Sequence, residues 1–353
     1  MPSTDTFTGY LGLDANSVNG NLVKGTFNPK VFSDDDVDLK ISHCGMCASD
    51  LHTLRSGWGA TPYPVIVGHE IVGTITKKGK NVTQFEIGDR VGVGAQVLSC
   101  LKDDCYECTH DNEPYCANKV YTYNSKFENG DSSWGGYALE GRYPASFCFK
   151  IPDELPSEIA APMMCGGITV FSPLKRNGCG PGKTVGVVGI GGLGHFALLF
   201  AKALGADKVY AISRSDAKGA DAIAMGAEGI IATQTPGWNT KYARKFDLIV
   251  STANNSDMPL GEYLTILKPG GRFVQVGLPE SPIPQFGFGP LINMNVHLMG
   301  SLLGSRKEIK EMLEIAATKG VKSWVTCYPM EEVNEVLKLM DANKARYRFV
   351  LTN

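Results

Sequence analysis

Charge of one sign is missing from this sequence: 34 lysines and arginines stand against 36 aspartates and glutamates, for a formal net charge of −2. Without a basic excess there is no long-range field to gather nucleic acid or an anionic membrane surface, and neither is expected as a partner. Internal repeats and low-complexity tracts are missing too, which excludes solenoid and linker architectures. The opening residues 1–6 have no basic cluster followed by an apolar core, so no secretory signal is expected and the cytoplasm is the expected compartment. Long apolar runs are scarce. The one candidate, Val185 to Ala206, has five glycines in its first ten residues and also holds His195 and Lys202. A strand, a turn and a helix explain it better than a membrane span.

That run is Thr184-Val-Gly-Val-Val188 feeding Gly189-Ile-Gly191-Gly192-Leu193-Gly194 and then an apolar, helix-like stretch. Strand, glycine turn and helix in this order fit a dinucleotide-binding fingerprint. The glycines let the backbone approach a pyrophosphate, and the N–H groups opening the helix face the anion. A lone match is weak in a chain with 41 glycines; the pattern that follows carries the case. A helix over 195–204 stops at Gly205. Strands at 208–212, 229–232, 246–250 and 272–276 then alternate with helices near 215–225 and 260–267, with Pro269-Gly-Gly271 as a turn. Such alternation predicts a parallel, doubly wound sheet. At the tip of the second strand, where a carboxylate would read a free ribose 2′-hydroxyl, stand Ser213, Arg214 and Lys218. A hydroxyl and two cations suit a 2′-phosphate, so NADP(H) is expected over NAD(H). Asp216 is expected to face solvent.

Cysteine, by contrast, is plentiful at 10 residues, and six fall in two groups: Cys44 and Cys47, then Cys100, Cys105, Cys108 and Cys116. Such clustering in a large chain with no expected signal favours metal over disulfides. The second group predicts a closed structural zinc lobe, since its loop has few apolar residues with which to order itself. Asp103, Asp104, Glu107, Asp111 and Glu113 within it are expected to be solvated. Cys47, His69 and Cys165 are candidates for an open metal site, with the choice between Cys44 and Cys47 open on spacing alone. Cys148, Cys179 and Cys327 receive no role. Up to a boundary near 156 the chain reads as short strands, among them 37–41, 71–76 and 90–93, and predicts an irregular β-barrel. Tyr121, Tyr123, Phe127, Trp134 and Tyr137 line a pocket or fill a core, and Trp134-Gly-Gly-Tyr-Ala138 reads as a turn into a strand. A helix over 159–164 ends at Cys165-Gly-Gly167. After a stretch with Pro282, Pro284 and Pro290 come a strand at 296–301, helices at 306–318 and 331–341, and a strand at 346–351. This last piece is expected to rejoin the first domain.

Several motifs together carry a resemblance. They are Cys44-Gly-Met-Cys47-Ala-Ser-Asp-Leu-His52, Gly68-His-Glu70, Gly88-Asp-Arg-Val-Gly-Val-Gly94, the four-cysteine lobe, Asn112-Glu-Pro-Tyr-Cys116, Cys165-Gly-Gly-Ile-Thr-Val170, Asn177-Gly-Cys-Gly-Pro-Gly182 and Arg346-Tyr-Arg-Phe349. They resemble the zinc-containing medium-chain alcohol dehydrogenases, in particular the cinnamyl alcohol dehydrogenase branch and its fungal NADP-dependent members, over nearly the whole chain. The resemblance implies a Rossmann NADP-binding domain at 157–296 and a mostly β, GroES-like catalytic domain at 1–156 and 297–353 that carries two zinc ions. It implies Cys47, His69 and Cys165 as ligands of a catalytic zinc, with Glu70 beside it and Asp50 orienting the ligands. Ser49 and His52 become a proton relay. Thr169, the Gly189 to Gly194 turn, Ser213, Arg214, Lys218 and Arg348 serve the cofactor, and Trp58, Tyr121, Leu302 and Leu303 line the substrate pocket.

The implied activity is hydride transfer between NADPH and aromatic, cinnamyl-type, or medium aliphatic aldehydes, mainly as a reductase. The implied assembly is a homodimer through edge strands near 296–303. A polyol or sugar dehydrogenase of the same superfamily and a non-catalytic NADPH-binding protein are the alternatives. The zinc lobe departs from the family's spacing: its first gap is four residues, Leu101-Lys-Asp-Asp104, where the family has two. A wider first loop around an intact zinc is expected.

Overall fold

The computed structural model describes residues 3, 5–280, 282 and 285–353. Part of the opening stretch read for a signal, and Pro284 of the proline-rich loop, lie outside the described residues. The chain forms two compact units, one of Met1–Cys165, Ser305–Thr318 and Ser323–Asn353, the other of Gly166–Gly304 and Lys319–Lys322. The divisions fall after 165 and 304, against 156 and 296 expected from the sequence.

The second unit is built on a six-stranded sheet in the order Gly229–Ala232, Lys208–Ser213, Thr184–Val188, Phe246–Ser251, Leu267–Gln275 and His297–Gly300. Every neighbouring pair is parallel. This is the expected doubly wound sheet, with its reversal of strand order beside the first strand. Thr184–Val188 takes the centre because Val185, Val187 and Val188 are apolar toward both faces and fully buried. Helix Gly194–Ala203 leaves it at once and buries Phe196, Ala197, Phe200 and Ala201.

Three local expectations are corrected here. The polar helix is only Gly219–Ala224, because residues 215–218 form a turn whose Lys218 ammonium bonds the Ile190 carbonyl at 2.5 Å. The fifth strand starts at Leu267, ahead of the glycine turn. Pairing jumps from Phe246 opposite Leu267 to Leu248 opposite Arg272, so the turn bulges from a continuing strand. The helix expected over 159–164 is two short pieces, the α-helix Ser157–Ala160 and the 3₁₀ helix Ala161–Met164, and it ends at Cys165 as expected, but a further helix, Gly166–Arg176, starts at once in place of a stop. Its glycines stand in the first turn, whose N–H groups lack intrahelical partners in any helix, while Ile168, Phe171 and Leu174 bury one face.

The first unit carries a seven-stranded sheet. Its path runs Val325–Pro329, Arg348–Thr352, Asp36–Gly45, Glu70–Lys78, Arg90–Val93 and Cys148–Lys150, with Glu140–Pro144 also paired to Asp36–Gly45. Only the first pair is parallel. The path is open at both ends, so the expected barrel does not close by hydrogen bonds among the described residues. Leu351 pairs opposite Cys44, which is how the end of the chain returns to this unit. Among the described residues no helix is long and apolar enough to cross a membrane.

Candidate active site and metal centres

Strand Asp36–Gly45 delivers the chain through Met46 to Cys47, the N-cap of helix Ala48–Leu54. His69 immediately precedes strand Glu70–Lys78, and Cys165 follows the turn Ala161–Met164. One ligand atom each of Cys47, His69, Glu70 and Cys165 lies within 4.8 Å of the others, and all four residues are buried. Cys44 is buried but stands outside this cluster, held in the sheet between Ile71 and Leu351. His69 Nε2 is buried without a hydrogen-bond partner among the described residues, which a bound cation relieves. Two thiols, an imidazole and a carboxylate are donors that Zn²⁺ accepts, so these residues fit the expected ion.

The electrostatics agree. Contact with the Cys165 sulfur pushes the Cys47 thiol well below its ordinary range, against desolvation and with help from His69. Burial disfavours protonation of His69, yet Cys47, Asp50 and Glu70 around it raise it to about 9. Burial lifts the Glu70 carboxyl to about 7 against the pull of Arg348. Burial presses the Glu70 carboxyl toward protonation, and the Cys47 sulfur and burial do the same to the Cys165 thiol, so a bound cation would favour their charged forms.

The surrounding residues are ordered. Asp50 accepts the Cys47 N–H at 2.9 Å and the Gly68 N–H at 3.0 Å. The Tyr123 ring stacks on His69 with centroids 5.2 Å apart and planes 3° from parallel. Ser49 Oγ is 3.5 Å from the Cys47 sulfur. His52, on the same helix, stacks on Trp58 at 4.4 Å, and Trp58 is itself exposed. Tyr121 is half-buried at the end of the short strand Val120–Tyr121. Arg348, expected at the cofactor, has its guanidinium on the Glu70 carboxylate and the Met46 carbonyl.

The four-cysteine lobe also gathers. Sulfur separations are 3.6 Å for Cys100 and Cys116, 3.7 Å for Cys100 and Cys108, and 3.9 Å for Cys105 and Cys116. A tetrahedron with Zn–S bonds of about 2.3 Å has an edge of about 3.8 Å, so the set fits a closed zinc site. The Lys102 N–H, together with the Cys105, Cys116 and Cys108 sulfurs, lowers the Cys100 thiol to about 7 against desolvation. Asp103, Asp104 and Asp111 are exposed as expected, but Glu113 is buried, because its short 3₁₀ turn Glu113–Tyr115 packs inward and takes the Gln96 amide on its carbonyl. Cys148 is buried, Cys179 half-buried and Cys327 exposed, all outside both clusters.

In the second unit the glycine turn is braced by Thr252, whose Oγ1 lies 2.9 and 2.8 Å from the carbonyl oxygens of Val188 and Gly189. Ser213 is half-buried at its strand tip, and Arg214 and Asp216 are exposed. Thr169 is half-buried in helix Gly166–Arg176, Leu302 is exposed and Leu303 buried. Sequence reasoning missed Thr252, the Tyr123 stack and the Arg348–Glu70 pair. None of the three leaves a local motif.

A doubly wound sheet with a glycine turn and a thiolate–imidazole centre in one chain define a metal-dependent dehydrogenase. The chain matches an alcohol dehydrogenase GroES-like domain over residues 33–153 and a zinc-binding dehydrogenase domain over 192–318. It is 45% identical over 336 residues to the NADP-dependent alcohol dehydrogenase 6 of Saccharomyces cerevisiae, covering 94% of this chain and 92% of that one. It superposes on a cinnamyl alcohol dehydrogenase from Sorghum bicolor with a TM-score of 0.93 at 35% identity, covering 99% and 98% of the two chains. Against the NADP(H) complex of CAD from Helicobacter pylori the TM-score is 0.90 at 30% identity, covering 100% and 99%. The chain belongs to the zinc-type medium-chain alcohol dehydrogenase family and is an alcohol oxidoreductase.

Proposed function

We propose that this protein is an NADPH-dependent, zinc-dependent aldehyde reductase acting on aromatic, cinnamyl-type, or medium aliphatic aldehydes. The observation that carries the reading is the convergence of Cys47, His69 and Cys165, with Glu70, within one buried set. When bound, zinc supplies Lewis-acid polarisation of a carbonyl and NADPH supplies the hydride. Cys47, His69 and Cys165 hold the ion and the four-cysteine lobe holds a second, structural one. Ser49, 3.5 Å from the Cys47 sulfur, holds its hydroxyl proton ready for a substrate oxygen, and His52 on the same helix replenishes it. Ser213, Arg214 and Lys218 favour the 2′-phosphate, which the NADP(H)-bound relative also supports. The apolar rings of Trp58 and Tyr121 in the first unit favour an apolar substrate over a polyol, and in the second unit Leu302 and Leu303 are apolar as well.

Among the described residues strand His297–Gly300 ends the sheet, and Phe288, Ile292 and Leu302 are exposed in the same unit, which supports a homodimer. Cytoplasmic reduced thiols suit both cysteine clusters.

A panel of aromatic, aliphatic and sugar aldehydes with NADPH and with NADH tests the reading. Aromatic turnover with NADPH that stops on removing one zinc and returns on its restoration is expected. Preferred turnover of sugar aldehydes points to the polyol alternative, and equal use of NADH overturns the cofactor assignment. NADPH binding without turnover of any aldehyde points to the non-catalytic alternative.

A further inference from the structure

The segment Trp134-Gly-Gly-Tyr137 supplies no metal ligand, yet it is seated against the chain that brings His69 into place. The Gly135 N–H bonds the Ile66 carbonyl at 2.8 Å, the Gly136 N–H the Gly68 carbonyl at 2.7 Å and the Tyr137 N–H the Val67 carbonyl at 3.0 Å. Only glycine allows so close an approach. A Cβ on Gly135 would stand 2.4 Å from the Val67 carbonyl oxygen, and one on Gly136 2.4 Å from Ile71 Cγ1. From the other side the Tyr10 N–H bonds the Tyr137 carbonyl at 2.8 Å and the Asn353 amide bonds Ala138 at 2.9 Å. The segment is therefore fixed on both sides, and it aims one side chain. The Tyr137 ring is fully buried, and its hydroxyl donates to Asp50 Oδ2 at 2.8 Å. Asp50, also fully buried, uses the same carboxylate to accept the N–H of Cys47 and of Gly68. One carboxylate thus ties together two stretches of chain that carry different ligands, and a third donor, the phenol, fixes the carboxylate itself.

We propose that Tyr137 is a positioning residue of the catalytic metal site, locking Asp50 and through it the backbone at Cys47 and at Gly68 beside His69. This rests on the reading of Cys47, His69 and Cys165 as metal ligands. Groups behind the ligands set metal affinity because they decide how much of the coordination geometry exists before the ion arrives.

The test is Tyr137→Phe in the full chain with cobalt(II) replacing zinc, titrated against a metal buffer. We expect the affinity of the catalytic ion to fall about 10–100-fold with shifted cobalt–thiolate bands, while the four-cysteine ion is unchanged. With zinc restored, kcat falls and the KM for NADPH stays as in the parent. Parent-like affinity and spectrum overturn the proposal. Should Tyr137→Phe fail to fold, Asp50→Asn carries the same expectation and the same refutation. Failure of the underlying reading is distinct: the parent then binds a single ion per chain that Cys47→Ser does not disturb, and the proposal falls with it.

Discussion

Arg348 lies with its guanidinium on the Glu70 carboxylate, and both side chains are sealed from solvent, at 2% and 0% exposure. The pair joins the returning C-terminal strand to the strand that follows His69. Removing one member leaves the other charge buried and uncompensated. Arg348→Met is expected to destabilise the zinc-loaded protein by about 3–5 kcal/mol. Arg348→Met combined with Glu70→Gln should recover part of that loss. Denaturant unfolding of the four members of the cycle checks this, and additive losses would show that the two side chains do not act as a pair.

The glycine turn separates two kinds of glycine. A Cβ on Gly194 would stand 1.8 Å from the Gly189 carbonyl oxygen, whereas one on Gly191 meets nothing within 4 Å among the described residues. Gly194→Ala is therefore expected to lower the melting temperature of the cofactor-free protein and to abolish NADPH binding. Gly191→Ala should melt like the parent and still bind NADPH more weakly, because the added methyl occupies space meant for the pyrophosphate. Thermal melts with and without NADPH decide. A parent-like melt of Gly194→Ala would refute the steric account.

These contrasts show what a sequence can and cannot carry. The glycine turn and the four-cysteine lobe were legible because each is a local device whose spacing is its chemistry. The parallel sheet was legible from alternating strand and helix patterns. The helix Gly166–Arg176 was hidden because glycine reads as a stop signal wherever it stands, and only packing shows that these two lie in a first turn. Choosing Cys47 over Cys44 took a family resemblance. In the structure the reason is the sheet, which pairs Cys44 into its interior while the chain turns at Cys47 into a helix. The phenol of Tyr137 meets Asp50 across 87 residues, and Arg348 meets Glu70 across 278. No spacing rule spans such separations.

Lys218 and Arg214 offer cations of different kinds. The Lys218 ammonium bonds the Ile190 carbonyl inside the glycine turn at 2.5 Å, while Arg214 is exposed at the strand tip. Arg214→Gln should weaken NADPH alone, by about 1.5–3 kcal/mol if it makes one charged hydrogen bond to the 2′-phosphate, and leave NADH unchanged. Lys218→Met should weaken both cofactors, because it also releases the turn that receives the pyrophosphate. Binding titrations with each nucleotide separate the two. Equal losses for NADPH and NADH in Arg214→Gln would remove it from phosphate recognition.

His43 gives a pH dependence with a definite sign. Burial holds its imidazole below the ordinary value of 6.5, and the partial compensation from Glu158 at 4.0 Å does not offset this. The unfolded chain therefore binds this proton more tightly than the folded one. The stability linked to His43 is complete above 6.5 and is lost as the pH falls through that value toward the lowered folded one. Denaturant midpoints of the zinc-saturated protein, taken from about pH 8 down to about pH 5, should fall more steeply in the parent than in His43→Gln. Comparing the two chains cancels the contributions of the metal ligands, which titrate alike in both. Parallel curves would mean that His43 meets the same environment folded and unfolded, contrary to its place in the strand that leads to Cys47.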